Sequence, residues 1–185
     1  IFKNFCTVSI DSSGESLHRR GYRKSTGPAP LNEVLAAGMI LLAGWKGDSN
    51  FIDPMCGSGT LAIEAAMISK KIPAGMFRQS WAFQGWKDFD KELWERVVSE
   101  AKNNIGPLAY KIVASDRSGR ILQVARENIA EAGMTDDIVV KVDFIGDVIP
   151  PRGGGLMVTN PTYGERINAD DINKLYDDFW DNLKQ

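Results

Sequence analysis

The strongest constraint on this chain begins at Asn50, where short apolar runs start to alternate with longer stretches of helical pattern. The runs are Phe51–Asp53, Lys111–Asp116, Ile138–Phe144 and Leu156–Thr159. Strands separated by helices pair in parallel, because a long crossover returns the chain to the same end of the sheet. The expected fold is therefore α/β, built on a doubly wound parallel sheet. Ligands of such sheets sit outside the carboxyl ends of the strands. Asp53, Asp116, Asp143 and Asn160, at or near those ends, become the candidates for chemistry.

The intervening segments supply the helices. Leu61–Lys70 is rich in Ala, Ile and Met, and Ser118 can cap a helix over Gly119–Ala132. Leu93, Trp94, Val97, Val98, Ala101 and Ile105 recur at helical spacing. Trp81, Phe83, Trp86 and Phe89 precede that helix, and residue type places these aromatics in the core. Upstream, Phe5–Ile10 and Ser16–Tyr22 flank the turn-forming Asp11-Ser12-Ser13-Gly14 and predict a β-hairpin. Asn32 can cap a helix through Trp45 that is apolar nearly all round and so expected to be buried. The stripe Ile172, Leu175, Tyr176, Phe179 and Leu183 predicts a final helix over about Asp170–Lys184.

Composition excludes several classes. The 185 residues, 43% hydrophobic and 25% charged, suit one soluble domain with a real core, not a disordered or disulfide-stapled chain. The net charge of −2 advertises no polyanionic partner, so nucleic-acid binding must come from a local patch or a missing segment. His18, Arg19, Arg20, Arg23 and Lys24 form the one basic cluster. Cys6, Cys56 and the single His18 support neither a zinc site nor a disulfide framework, and a reducing cytoplasm fits. No run is apolar for the length of a membrane span, and no signal peptide opens the chain. The chain starts at Ile1 and ends at Gln185 within a helical pattern, which suggests a piece of something longer.

In Asp53-Pro54-Met55-Cys56-Gly57-Ser58-Gly59-Thr60 two positions lack a Cβ, so backbone can approach a ligand closely, while Asp53 can accept from an ammonium group. The loop lacks the third glycine of G-x-G-x-x-G and the lysine of a phosphate-binding loop. Asp116, followed by Arg117 and Ser118, sits where an acid clasps ribose hydroxyls. Asp143, followed by Phe144, is placed to accept from an adenine amino group. Asn160-Pro161-Thr162-Tyr163 carries the sharpest chemistry. The exocyclic amine of a purine is a poor nucleophile, its lone pair being delocalised into the ring. The Asn160 side-chain oxygen and the Pro161 carbonyl can accept its N–H groups, and Tyr163 offers a ring on which an extruded base can lie.

These motifs, with Ser16-Leu-His-Arg-Arg-Gly-Tyr-Arg23, Ala29-Pro-Leu31 and Gly164-Glu165-Arg166, resemble the THUMP-associated RNA guanine-N2 methyltransferases over about residues 11–183. The resemblance implies a Rossmann-like, S-adenosylmethionine-dependent core that methylates the N2 amine of a guanine in 23S ribosomal RNA without a metal. It assigns Asp53, Pro54, Cys56, Gly57, Ser58, Gly59 and Thr60 to the methionine end of the cofactor. Asp116 falls to the ribose and Asp143 to the adenine amino group, Arg117 and Phe144 are counted with the cofactor-binding residues, and Asn160, Pro161 and Tyr163 fall to the target base. It also implies that residues 1–25 are a hairpin and linker from a missing THUMP domain, which would hold most of the RNA. Residues 26–185 would be a methyltransferase domain lacking its last strands. Thr162 stands where the family carries a second proline.

Three rivals remain to be weighed. A nicotinamide dehydrogenase places its ribose-binding acid about 20 residues after the glycines, whereas Asp116 lies 57 residues after Gly59. An N6-adenine methyltransferase shares the Asn-Pro-x-Tyr core, and a truncated module that binds cofactor or RNA without turnover shares the fold.

Overall fold

The computed structural model describes residues 6–24, 30–161 and 177, so Tyr163 and the expected final helix lie outside the described residues. Four parallel strands, β1 (Asn50–Asp53), β2 (Ile112–Asp116), β3 (Ile138–Val142) and β4 (Gly155–Met157), form a sheet in the order β3-β2-β1-β4. Phe51 pairs with Ile112 on one side and Leu156 on the other, and the Val158 N–H extends the second ladder to the Ile52 carbonyl at 3.0 Å. The approach of β4 to β1 depends on Gly155, where a Cβ would stand 2.2 Å from the Asn50 carbonyl oxygen. The Asn50 amide braces the same crossing, donating to the carbonyls of Gly154 at 2.8 Å and Arg152 at 3.2 Å.

The helices are α1 (Glu33–Leu42), α2 (Thr60–Lys70), α3 (Lys91–Asn103) and α4 (Gly119–Glu131). Every residue of α2 from Thr60 to Met67 is buried. Its run of Ala, Ile and Met follows from its place between the sheet and α1, where no side is left for water. The amphipathic α4 buries Leu122, Ala125 and Ile129 and starts at Ser118, whose hydroxyl accepts the Ile121 N–H at 3.4 Å, as its sequence predicts. Tyr22, Ile40, Phe51, Ile63, Ile112, Leu122 and Met134 meet in the central core.

Four expectations are corrected. Residues 6–24 form no strand, so there is no hairpin among them. Their carbonyls are taken by a distant partner instead: the Arg78 guanidinium donates to Ser13, Glu15 and Ser16 at 3.1, 2.9 and 3.2 Å, and the N–H groups of Ala82 and Phe83 donate to Ser13 and Ser12. Asn32 caps α1 as expected, accepting from Val34 and Leu35, but the helix stops at Leu42. Trp45 leaves the helical path to lie against Phe51, with ring centroids 5.1 Å apart, and gives its indole N–H to the Ser49 carbonyl. Nor is α1 buried all round: Ala36 and Ile40 are buried, but Leu35, Leu41 and Leu42 are exposed, because among the described elements the helix packs chiefly on α2. Finally, Trp81, Phe83, Phe89 and Trp94 stack on one another outside the core, Trp86 is exposed, and α3 buries no residue. Aromatic side chains numerous enough to shield each other need no sheet beneath them. No described helix is long and apolar enough to cross a membrane.

Candidate active site at the strand ends

Asp53 closes β1 and is only 1% exposed. Its Oδ1 accepts from the Thr159 hydroxyl at 2.9 Å and from the Met55 N–H at 3.3 Å. Burial pushes this carboxyl up to about 7; the two hydrogen bonds oppose the rise and the nearby Asp116 adds to it. The acid therefore changes charge near neutrality, and a cation placed beside it would favour the ionised form.

The loop after β1 is built to expose backbone. Pro54 is buried, and the Cys56 N–H donates to the Ser115 carbonyl at 2.8 Å. The Cys56 side chain packs in the core, where burial pushes its thiol up, so this residue serves the loop by packing. Gly59 begins α2 at φ +84°, a conformation that disfavours any side chain, and its N–H closes the turn on the Cys56 carbonyl at 2.8 Å. Asn128 donates to the Ser58 carbonyl at 3.1 Å, fixing the loop from α4. Arg23 donates to the Thr60 hydroxyl at 2.9 Å and lies 3.2 Å from the Glu33 carboxylate, fixing it from the other side. A Cβ on Gly57 would meet nothing within 4 Å, which leaves open space beside the loop.

Asp116 closes β2 and joins two loops: Oδ2 accepts the Gly57 N–H at 3.1 Å, and Oδ1 accepts the Ser118 N–H at 2.9 Å. Each oxygen keeps further acceptor capacity, which suits hydroxyl donors. Arg117 is exposed beside it. Asp143 lies just past β3 and not within a strand, because β2 runs out opposite Val142. It is half-buried, its N–H donates to the Asp116 carbonyl at 3.3 Å, and Phe144 after it is 38% exposed. Asn160 and Pro161, both half-buried, follow β4. The sheet thus gathers Asp53, Asp116, Asp143, Asn160 and Pro161 at its carboxyl edge. The β1–β4 pair is where the strand order reverses, the position at which such sheets form a ligand crevice.

The basic cluster is largely committed to holding the domain together. Arg20 pairs with the buried Glu64 at 3.3 Å, and the Tyr22 hydroxyl donates to the same carboxylate at 3.0 Å. Arg23 is bound as described, and Lys24 pairs with Glu131. Sequence reasoning missed these pairings and missed Thr159, whose only signal was a hydroxyl adjoining Asn160. Among the described residues no group of three or more His, Cys, Asp or Glu side chains is placed to hold a metal ion.

A sheet reversing between β1 and β4, with an acid at the end of each of its first two strands and a glycine-bearing loop beside them, defines a Rossmann-like ligand-binding domain. The chain belongs to the family described as RMKL-like, methyltransferase domain, whose model matches residues 20–185. It is 47% identical over 176 residues to the ribosomal RNA large subunit methyltransferase K/L of Marinomonas sp. (strain MWYL1), covering 90% of this chain and 24% of that protein. The crystal structure of SMU.472 complexed with SAH superposes with a TM-score of 0.86 at 37% identity, covering 95% of this chain and 46% of that one. A protein from Listeria monocytogenes str. 4b F2365, described as a predicted N6-adenine-specific DNA methylase, gives a TM-score of 0.85 at 36% identity over the same shares. The chain therefore spans about a quarter of the K/L protein and just under half of these structural relatives.

Proposed function

We propose that this chain is the catalytic core of an S-adenosylmethionine-dependent methyltransferase that modifies the exocyclic N2 amine of a guanine in ribosomal RNA. The observation that carries the reading is the convergence of Asp53, Asp116 and Asn160-Pro161 on one edge of the sheet. The open space beside Gly57 and the rigidly held Asp116 carboxylate suit a nucleoside with an amino-acid tail. Asp53 accepts from the ammonium of that tail, Asp116 from the ribose hydroxyls and Asp143 from the adenine amine, with Pro54, Cys56, Ser58, Gly59 and Thr60 shaping the loop and Arg117 and Phe144 flanking it. Bound there, S-adenosylmethionine supplies an activated methyl group.

Asn160 and Pro161 work on the acceptor. Their carbonyl oxygens take the two N–H groups of the amine and draw its lone pair out of conjugation, and Tyr163 carries the base. As the amine nitrogen bonds the methyl carbon, that carbon's bond to sulfur would break to leave a neutral thioether, and the amine would give up a proton to solvent. SMU.472 was crystallised with SAH, which supports the cofactor, and the name of the Marinomonas protein supports ribosomal RNA as substrate. Because the basic cluster is mostly paired internally, 23S RNA would be held chiefly by an RNA-binding domain outside residues 1–185, in a cytoplasmic setting. The second reading is N6-adenine methylation, favoured by the description of the Listeria protein, since the same two carbonyls suit either purine amine.

Nucleoside mass spectrometry of ribosomal RNA and genomic DNA from cells carrying Asn160→Ala in the full-length protein decides between them. Loss of N2-methylguanosine from large-subunit RNA is expected, with cofactor affinity changed by less than about 1 kcal/mol, as suits a contact made in the transition state. Loss of N6-methyladenine instead moves the substrate to adenine, and loss of neither overturns the role of Asn160.

A further inference from the structure

Along the β1–β4 boundary the last backbone contact is Val158 N–H to the Ile52 carbonyl, and one residue later the contact passes to side chains, Thr159 donating its hydroxyl to Asp53 at 2.9 Å. The partners are 106 residues apart in sequence, and Asp53 is only 1% exposed, so this hydroxyl does not brace a surface turn. The acceptor oxygen is itself fixed by the Met55 N–H at 3.3 Å. A β-branched side chain anchored at its hydroxyl has one χ1 available, and the residue before a proline is steered into extended backbone. Asn160 therefore sits between two restraints, an anchored Thr159 and the Pro161 ring.

We propose that Thr159 is a positioning residue whose hydroxyl, held by Asp53, sets the Asn160–Pro161 carbonyls relative to the cofactor loop and makes their alignment respond to what Asp53 binds. This rests on the reading of Asp53 as ammonium acceptor and of Asn160 as amine acceptor. An ionised carboxylate is the stronger acceptor for the hydroxyl, and a bound cation keeps Asp53 ionised, so a loaded cofactor loop tightens the anchor of the acceptor loop. Burial, with a contribution from Asp116 and against the two hydrogen bonds, lifts Asp53 to about 7, which puts the two charge states within reach of one another near neutrality. Among the described residues the titratable groups facing it are Asp116 from β2 and the Cys56 thiol from its own loop, and Asp116 opposes its ionisation.

The test compares Thr159→Val and Thr159→Ser in the full-length protein, measuring RNA methylation kinetics and calorimetric S-adenosylmethionine affinity as functions of pH. Valine keeps the shape and loses the donor. It is expected to lower kcat roughly ten- to a hundredfold with KM for RNA within about twofold, the pattern of a misplaced reacting group. It is also expected to move the midpoint of cofactor affinity to higher pH, because the charged form of Asp53 loses a partner. Serine should restore both. A methylating wild-type protein whose valine variant matches it in kcat and in pH midpoint overturns this inference alone, as does a folded serine variant that restores neither. A wild-type protein that binds cofactor and methylates no nucleobase overturns the proposed function, and this inference with it.

Discussion

Asp53 carries the largest electrostatic consequence of any single residue in the site. Its carboxyl ordinarily titrates at 3.8 and in the folded protein is raised to about 7. Below both values it is protonated folded or unfolded, and no difference arises. Between them the unfolded chain ionises while the folded one holds its proton, so stability falls as pH rises from about 4 to about 7 and levels off above that, by a few kcal/mol on the order of 1.4 per unit. Denaturant titrations of the cofactor-free protein should show that slope, and Asp53→Asn should remove it and be the more stable protein at pH 8. A slope that survives the substitution means that another group carries it. Cofactor affinity should run the other way, rising with pH through about 7 as Asp53 ionises without help from the ligand. At this scale Asp53, Asp116 and Asn160 were legible because each ends an apolar run. Cys56 looked equally placed, but its side chain turns into the core, and the Thr159–Asp53 bond could not be read because it joins positions 106 residues apart.

Elements in this protein are secured by polar pairs as much as by apolar faces. Glu64 lies in the buried body of α2, where burial raises its carboxyl and the Arg20 guanidinium pulls it back. Removing one partner of such a pair strands the other charge, so Arg20→Ala should cost about 3–5 kcal/mol. A thermal melt reads this, and Arg20→Met combined with Glu64→Leu and Tyr22→Phe should recover most of it by removing every group that needs a partner. A melt unchanged by Arg20→Ala shows that the pair does not secure the segment. Parallel strands and well-capped helices were readable from periodicity, as α2, α4 and the start of α1 illustrate. The segment at residues 6–24 was not, because Asp11-Ser12-Ser13-Gly14 does make a local turn, with the Asp11 carboxylate accepting the Ser13 N–H at 2.8 Å, yet no strand forms on either side of it and the carbonyls of Ser13, Glu15 and Ser16 go to Arg78. Turn chemistry reports the bend and says nothing about what pairs beyond it.

Over the whole molecule, cohesion is uneven. The centre is the sandwich of α1, α2 and the sheet, whereas α3 and the aromatic cluster it serves stand apart with no buried helical residue. Local openings follow buried contacts, so native-state hydrogen exchange should find α3 amides opening well below the global free energy, and those of β1, β2 and α2 close to it. Equal protection across α3 and α2 would show that the aromatic cluster is as firmly bound as the core. The sequence suggested otherwise because residue type reads alike whether aromatic side chains face a sheet or one another.

The strand order also has a consequence for how the protein is made. β1, β2 and β3 are neighbours in the same sequence in which they leave the ribosome, but the other edge of β1 waits for β4, which arrives only with Gly155. Until then a nascent chain displays an open row of backbone groups on a strand that the finished fold buries entirely, the template on which chains join to one another. Synthesis that stalls between β3 and Gly155 would leave the acids of the first two strands in place with no asparagine to face them, in a polypeptide more prone to associate with its own kind than to finish folding.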